Sequence, residues 1–147
     1  MGILSKLCPV SIYDIALRRA TKGEKFNYSG LKVKAKVVDV YDGDTITIVF
    51  RYRGELQQHN CRMLGYDSPE LRPSRKMTNR EKEIESAKIA RDKLKELVEF
   101  KEDSKKLVDV YLNKSDSFGR ILVDVYVDGN YINDWMVVHG YGKPYQK

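Results

Sequence analysis

The order of the strand-like segments constrains the fold of this chain more than any other feature. Polar and apolar residues alternate over residues 32–39, a β-branched and aromatic run covers 45–52, and a third strand-like segment covers 56–64. Only short glycine-containing turns separate these three segments, so they are predicted to form a meander. Two more strands are predicted over 107–112 and 121–127. The chain is therefore predicted to be an α+β domain, mainly β.

The longest helix is predicted between the third and fourth strands. Apolar residues recur at helical spacing over residues 80–100, after a cap at Thr78 or Asn79. A short helix is predicted over 131–139, with Gly140 as its C-terminal stop. Five short strands with a helix in this position predict a closed or partly open Greek-key barrel of the OB type.

An N-terminal extension, residues 1–30, is predicted to precede a single domain, residues 31–147. Ser11 and Asp14 have the spacing of a capping box, and a short helix is predicted to follow and to end near Gly23. One core suffices for a chain of 147 residues. We expect a monomer.

An excess of positive charge indicates an anionic partner. The formal charge is +6 and the isoelectric point is about 9.2, while 41% hydrophobic and 33% charged residues exclude a disordered chain. Residues 71–80 (LRPSRKMTNR) contain four basic residues and no acid. Charge alone does not distinguish nucleic acid from acidic lipid.

The two cysteines, Cys8 and Cys61, provide neither a disulfide framework nor a cysteine-rich zinc site. The apolar stretch at the N-terminus is too short for a secretory signal, and no run of about 18 apolar residues is present. We therefore expect an intracellular protein without a transmembrane segment. Contact of a membrane surface through the basic N-terminal helix and Cys8 is a separate hypothesis.

Two carboxylates are predicted to meet at one metal ion. Asp44 follows an Asp-Gly turn and Asp67 follows the third strand, so each lies at a loop. Oxygen ligands without cysteine favour calcium or magnesium over zinc. The EF-hand pattern is absent, because Ile46 occupies its third acidic position. A sparse, partly hydrated site is therefore expected.

Three further side chains suit phosphodiester hydrolysis. Glu70 lies three residues beyond Asp67, across a proline, and is the candidate general base. Phosphodiester hydrolysis increases the negative charge on the phosphoryl oxygens in the transition state, and planar guanidinium groups match that charge with paired hydrogen bonds. Arg62 and Arg120 are the candidates for this role.

These fragments together resemble the staphylococcal nuclease-like family, also called thermonucleases, from about Val33 to Lys143. The shared features are DGDT (42–45), R-x-x-G-x-D-x-P-E (62–70), Ala87 and Ala90 in the helix, D-x-x-G-R (116–120), and Asn133 before Gly140. The resemblance implies an OB barrel and calcium-dependent hydrolysis of DNA and RNA, single-stranded or frayed, with little sequence specificity and with 3′-phosphate ends. Magnesium or another divalent ion is the alternative cofactor.

The resemblance also implies a role for each site residue. Asp44, Asp67 and the main-chain carbonyl of Ser68 would hold the metal, and Glu70 would activate water. Arg62 and Arg120 would bind the phosphate and stabilise its transition state. Asp42 and Thr45 would orient the groups around the ion.

This sequence departs from the family pattern at positions that concern the substrate. Ser68 replaces threonine, Phe118 stands where tyrosine is frequent, and Ser117 replaces a basic residue. The candidate substrate-binding residues are Phe118, Tyr141, Tyr145, Arg72, Arg75 and Lys76. The helix over residues 12–22 is predicted to cover barrel surface left bare by the absence of the family's C-terminal helix.

These residues allow more than one function. The protein is predicted to be a nuclease, and the main alternative is a catalytically silent OB module that binds nucleic acid or a protein. Retention of all the expected functional positions favours the nuclease. The membrane-surface adaptor is a third reading, from a different class. The sequence does not distinguish DNA from RNA as the preferred substrate, endonuclease from exonuclease action, or calcium from magnesium.

Overall fold

The structure is a computed structural model that describes residues 12–145. In chain order the elements are α1 (Ile12–Arg19), β1 (Lys32–Val40), β2 (Thr45–Tyr52), β3 (Glu55–Met63), β4 (Tyr66–Asp67), α2 (Arg80–Leu97), β5 (Val108–Ser115), β6 (Ile121–Val127), β7 (Asn130–Tyr131), α3 (Ile132–Val138) and β8 (Lys143–Pro144).

Five of the strands close into a barrel. Strands β3, β2, β1, β5 and β6 follow one another in antiparallel pairs, and a parallel pairing of β3 with β6 joins the two ends. In that last pairing Arg62 lies opposite Leu122. The predicted OB-type barrel is confirmed, and its closure brings the end of β3 beside the start of β6.

The barrel interior is filled by one face of each strand, because successive side chains of a strand point to opposite sides. On β2 the inward positions are Ile46, Ile48 and Phe50, all fully or almost fully buried. The helix α2 adds Ala90 and Leu94 to the same core. The alternation predicted for residues 32–39 is confirmed on β1, where Ala35 and Val37 are buried and the lysines between and before them are exposed.

The predicted helix ends need correction. Helix α2 ends at Leu97 rather than near residue 100, and Glu99 then adopts a left-handed backbone with φ of 54°. Asn79 occupies the N-cap position, but its φ is 60° and its side chain makes no capping hydrogen bond. Gly140, with φ of 82°, follows α3 as the predicted stop.

The N-terminal helix α1 is shorter than predicted and does not cover the barrel. It ends at Arg19, and every residue from Asp14 to Asn27 is exposed, including Leu17 at 73%. Side chains that stay exposed add little packing energy to a short helix, which explains its early end. The predicted cap, Ser11, and Cys8 lie outside the described residues. No helix within residues 12–145 is long and apolar enough to cross a membrane.

Two short strands, β4 and β8, form a pair that the sequence analysis did not predict. Asp67 lies opposite Lys143, and the N–H of Gly65 donates to the hydroxyl of Tyr145 at 2.8 Å. The last described residues are therefore held beside the predicted metal ligand.

Three hydrogen bonds made by the side chain of Asn133 hold α3 against the barrel. Its Oδ1 accepts a hydrogen bond from the Val125 N–H, and its Nδ2 donates to the carbonyls of Leu64 and Val123, each at 2.9 Å. Because the side chain is buried and fully paired, it fixes the helix relative to both β6 and the residue after β3.

In the turn between β1 and β2, the atoms around Gly43 lie too close for any residue other than glycine. A Cβ at Gly43 would lie 2.7 Å from the Cβ of Ser68 and 2.8 Å from the Cβ of Ala90. The Gly43 carbonyl also accepts a hydrogen bond from the buried Tyr66 hydroxyl at 2.6 Å. The turn that carries Asp44 is thus pressed against α2 and the loop after β4.

Replacing Gly43 with alanine is therefore expected to destabilise the fold by about 1–3 kcal/mol, because three packed elements must separate. Urea unfolding would measure the difference in free energy. Gly23→Ala is the matched control, since the atom nearest to its Cβ would be the Thr21 carbonyl oxygen, at 4.0 Å. Equal unfolding midpoints for the two variants would contradict the close packing.

Candidate active site

One cavity of about 670 Å³ gathers the predicted catalytic and metal-binding residues. Its lining comprises Asp42, Asp44, Arg62, Asp67, Ser68, Glu70, Met77, Glu83, Phe118 and Arg120. These residues come from the β1–β2 turn, the end of β3, β4 and the segment that joins it to α2, the start of α2 and the β5–β6 turn. Barrel closure brings these segments together.

The buried carboxylate of Asp44 is the most connected group of the site. Its Oδ2 accepts a hydrogen bond from the Ser68 N–H at 2.8 Å, and its Oδ1 accepts one from the Thr45 hydroxyl at 3.0 Å. The same Oδ1 lies 2.8 Å from a guanidinium nitrogen of Arg62. The Asp44 N–H in turn donates to Oδ1 of Asp42 at 3.0 Å. One side chain thereby ties the turn to β3 and to the loop after β4.

The two neighbouring aspartates have pKa values shifted in opposite directions. Burial by itself would raise the pKa of Asp44, but the Ser68 N–H and the Arg62 guanidinium outweigh it and hold the pKa below its ordinary value. Burial, reinforced by the nearby charge of Asp44, raises the pKa of Asp42 to about 6. Asp44 is therefore the more firmly ionised of the pair.

Arg62 bridges the two predicted metal-binding carboxylates. One guanidinium nitrogen pairs with Asp44, and the other contacts Asp67 and the carbonyl of Tyr66. Burial would lower the pKa of Arg62, but the two aspartates outweigh it and raise the pKa. The guanidinium is thus a fixed positive charge between Asp44 and Asp67.

Arg120 is positioned by Asp116, a residue to which the sequence analysis assigned no separate role. The Asp116 carboxylate accepts hydrogen bonds from the Phe118 N–H at 2.9 Å, the Arg120 N–H at 3.0 Å and the Arg120 Nε–H at 2.8 Å. Another nitrogen of Arg120 donates to the Thr45 hydroxyl at 3.3 Å. Thr45 itself donates to Asp44, so the two arginines belong to one hydrogen-bonded network.

Glu70, the predicted base, lies on the rim of the cavity with an exposed side chain. Its main-chain N–H donates to the carboxylate of Glu83 at 3.0 Å. Sequence reasoning missed Glu83, because its place in the first turn of α2 resembles that of the other charged residues on the solvated helix face. Only its distance in space from Glu70 reveals the contact.

The charge of the cavity suits a hard divalent cation. Five carboxylates and two guanidiniums line it, which gives a formal charge of −3 before an anionic phosphodiester enters. The carboxylate and hydroxyl side chains of the lining offer oxygen donors, as calcium and magnesium prefer. No three His, Cys, Asp or Glu side chains within residues 12–145 form a compact metal-binding group. Arg62 lies between the carboxylates of Asp44 and Asp67, so a cation held here would need further oxygen donors.

The candidate substrate-binding residues occupy different places. Phe118 is 83% exposed and lines the cavity beside Arg120. Tyr141 lines a smaller neighbouring cavity, whereas the Tyr145 hydroxyl is bonded to Gly65. Three basic residues are exposed in the loop before α2 and line neither cavity, namely Arg72, Arg75 and Lys76.

The hydrogen bonds to Asp116 predict a pH-dependent contribution to stability. Although burial opposes ionisation, the Arg120 and Phe118 N–H groups and the Arg120 charge hold the pKa of Asp116 below its ordinary value. The ionised carboxylate therefore stabilises the fold fully above about pH 4, the unfolded value, and less as the pH falls through the folded pKa.

Asp116→Asn is accordingly expected to lose about 1–3 kcal/mol of unfolding free energy at neutral pH, and the difference from wild type is expected to shrink below about pH 4. Urea unfolding at a series of pH values would measure this. Asp103→Asn, a change at an exposed loop residue, is the control. A difference that stays constant into acid would contradict the role of the charge.

Comparison with known proteins agrees with this architecture. Residues 60–147, more than half of the chain, match the family model described as "Staphylococcal nuclease homologue". A search of curated proteins gives no match. The match includes the end of β3, β4 and the loop after it, α2 and the β5–β6 turn, which supply most of the cavity lining. The chain belongs to the staphylococcal nuclease homologue family.

Proposed function

We propose that this protein is a metal-dependent nuclease that hydrolyses phosphodiester bonds of DNA and RNA with little sequence specificity. The observation that carries the proposal is a single cavity that combines two positioned guanidiniums, an exposed glutamate and a pair of carboxylates joined through Arg62. Family membership points in the same direction.

The ion is proposed to be calcium, with magnesium as the alternative. Asp44, Asp67 and the Ser68 carbonyl would hold it, and Asp42 and Thr45 would keep Asp44 in place. When bound, the ion supplies positive charge that polarises the phosphate and offsets the acidic lining. Two carboxylates and one carbonyl leave coordination positions for water, as expected for these cations.

Arg62 and Arg120 are proposed to bind the non-bridging phosphate oxygens. Each guanidinium is already held by carboxylates or by Thr45, so little reorganisation is needed when charge builds up on the phosphate. Guanidinium groups form paired, charge-assisted hydrogen bonds with phosphate. Their contacts carry no base information, which accounts for the proposed lack of sequence specificity.

Glu70 is proposed to accept the proton of the attacking water. The water oxygen forms a bond to phosphorus, its proton passes to the Glu70 carboxylate, and the bond from phosphorus to the leaving oxygen breaks. We infer a 3′-phosphate and a 5′-hydroxyl as the products, the leaving oxygen taking a proton from solvent. Within the described residues the Glu70 carboxylate has no hydrogen bond or ion pair, so it is free to act as a base.

Cleavage of single-stranded DNA and RNA by wild type and Glu70→Gln tests the proposal. Wild type is expected to cleave both substrates in the presence of calcium or magnesium. Addition of a chelator is expected to stop the cleavage. The variant is expected to lose about 100-fold or more of kcat, since general-base catalysis contributes roughly 10²–10⁴-fold.

Glu85→Gln provides the matched control, because Glu85 is an exposed glutamate of α2 that does not line the cavity. It is expected to cleave like wild type. Equal cleavage by Glu70→Gln would contradict the assignment of the base. Failure of folded wild-type protein to cleave under any condition would favour the silent binding module.

A further inference from the structure

Three consecutive residues, Ser68, Pro69 and Glu70, carry the proposed metal-binding carbonyl and the proposed base. The N–H of Ser68 donates to Oδ2 of Asp44 at 2.8 Å, and the N–H of Glu70 donates to Oε1 of Glu83 at 3.0 Å. Pro69 lies between them, and its ring fixes φ and removes the N–H. Both N–H groups of this segment are therefore paired with carboxylates, one from the β1–β2 turn and one from α2.

Glu83 extends from a helix that is itself packed closely on the barrel. It lies in the first turn of α2, one turn before Ala87, which is fully buried. Ala90, further along the helix, is almost fully buried, and a Cβ at Gly43 would lie 2.8 Å from its Cβ. Because close-packed elements have little freedom to shift, the helix gives the Glu83 carboxylate a defined position relative to the β1–β2 turn.

The Glu83 carboxylate faces the candidate active site and binds the main chain of Glu70. It lines the larger cavity together with Glu70, and a smaller neighbouring cavity together with Pro69. Within residues 12–145 it forms no ion pair, and the Glu70 N–H is the group to which it is hydrogen-bonded. Loss of the Glu83 carboxylate would therefore release Glu70 without breaking another described ion pair or side-chain hydrogen bond.

The Glu70 side chain depends on its main chain for its position. Within the described residues its carboxylate is exposed and has no hydrogen bond or ion pair. A general base must lie within hydrogen-bond distance of the water that it deprotonates, and a misplacement of about 1 Å can cost about 100-fold in rate. The place of the proposed base is therefore set by the main chain, which Asp44 and Glu83 hold from two sides.

We propose that Glu83 is a positioning residue for Glu70, the proposed general base. The inference rests on the proposed nuclease function and adds to that site a residue that belongs to none of the sequence motifs. Glu83 acts through the N–H of Glu70 and not through the metal ion or the substrate. The property required at position 83 is a hydrogen-bond acceptor, which glutamine also provides.

Cleavage of single-stranded DNA at a series of substrate and calcium concentrations tests the inference. Glu83→Ala is expected to lower kcat about 10- to 100-fold, because Glu70 loses its defined place. It is expected to leave KM and the calcium requirement nearly unchanged, because neither the substrate nor the ion loses a contact. Glu83→Gln is expected to recover most of the loss in kcat, since its amide oxygen can accept the same N–H.

Glu81→Ala is the matched control for the alanine variant. Glu81 also lies in the first turn of α2, but it is exposed and lines neither cavity. The two variants therefore remove the same charge from the same end of the helix. Glu81→Ala is expected to cleave like wild type. Circular dichroism establishes that each variant is folded, and Glu83→Leu, which also removes the acceptor, replaces Glu83→Ala if that one does not fold.

A double-mutant cycle with Glu70→Gln separates positioning from an independent effect. Adding Glu83→Ala to Glu70→Gln is expected to cause no further loss, since no base remains to be positioned. Equal losses from Glu83→Ala in both backgrounds would overturn the inference, as would a Glu83→Gln variant that is as slow as Glu83→Ala. A higher calcium requirement in both Glu83 variants would also overturn it, because Glu83 would then act on the ion.

Failure of this inference differs from failure of the proposed function. Additive losses in a wild type that cleaves reject the positioning role alone, whereas a folded wild type that cleaves nothing rejects the nuclease. In the second case, the exchange rate of the Glu70 amide hydrogen, measured by NMR, decides whether Glu83 holds this segment. Exchange about tenfold faster in Glu83→Ala than in Glu81→Ala would support the hold on Glu70, and equal rates would reject it.

Discussion

The buried carboxylate of Asp44 is the group on which the rest of the site depends. It joins the β1–β2 turn to Ser68 and to Arg62, and through Thr45 it is connected to Arg120. The main-chain carbonyl of Asp44 also accepts a hydrogen bond from the Met63 N–H at 2.8 Å. A buried charge is tolerated only when it is paired and hydrogen-bonded, so the same contacts that stabilise Asp44 fix the geometry around it.

The balance of charge explains why such a network suits phosphate chemistry. The arginines are held by acids, and the acids outnumber them, so an anionic substrate needs additional positive charge to enter the cavity. In the proposed nuclease a divalent cation would provide this charge without a further basic side chain. The close packing of Gly43 against Ser68 and Ala90 keeps the turn that carries Asp44 in place. Packing and electrostatics thus both hold the β1–β2 turn against the loop after β4.

Local patterns predicted the parts of the structure that local forces determine. Alternation predicted β1, a β-branched and aromatic run predicted β2, and the joint occurrence of the motifs around Asp44 and Arg62 predicted most of the residues that line the cavity. The failures have a common cause, which is dependence on contacts between distant residues. The pairing of β4 with β8 and the contact of Glu83 with Glu70 leave no periodic signal. The apolar periodicity predicted α1 as far as residue 22, but the side chains of residues 14–19 are exposed and the helix ends at Arg19.

The most direct test of the account is the rate of single-stranded DNA cleavage by wild type and Asp44→Asn across a calcium titration, on protein whose fold is verified by circular dichroism. Because Asp44 is proposed both to hold the ion and to position the arginines, the variant is expected to lose at least about 100-fold of the rate at saturating calcium and to require more calcium. An unchanged rate with the same calcium dependence would contradict the account.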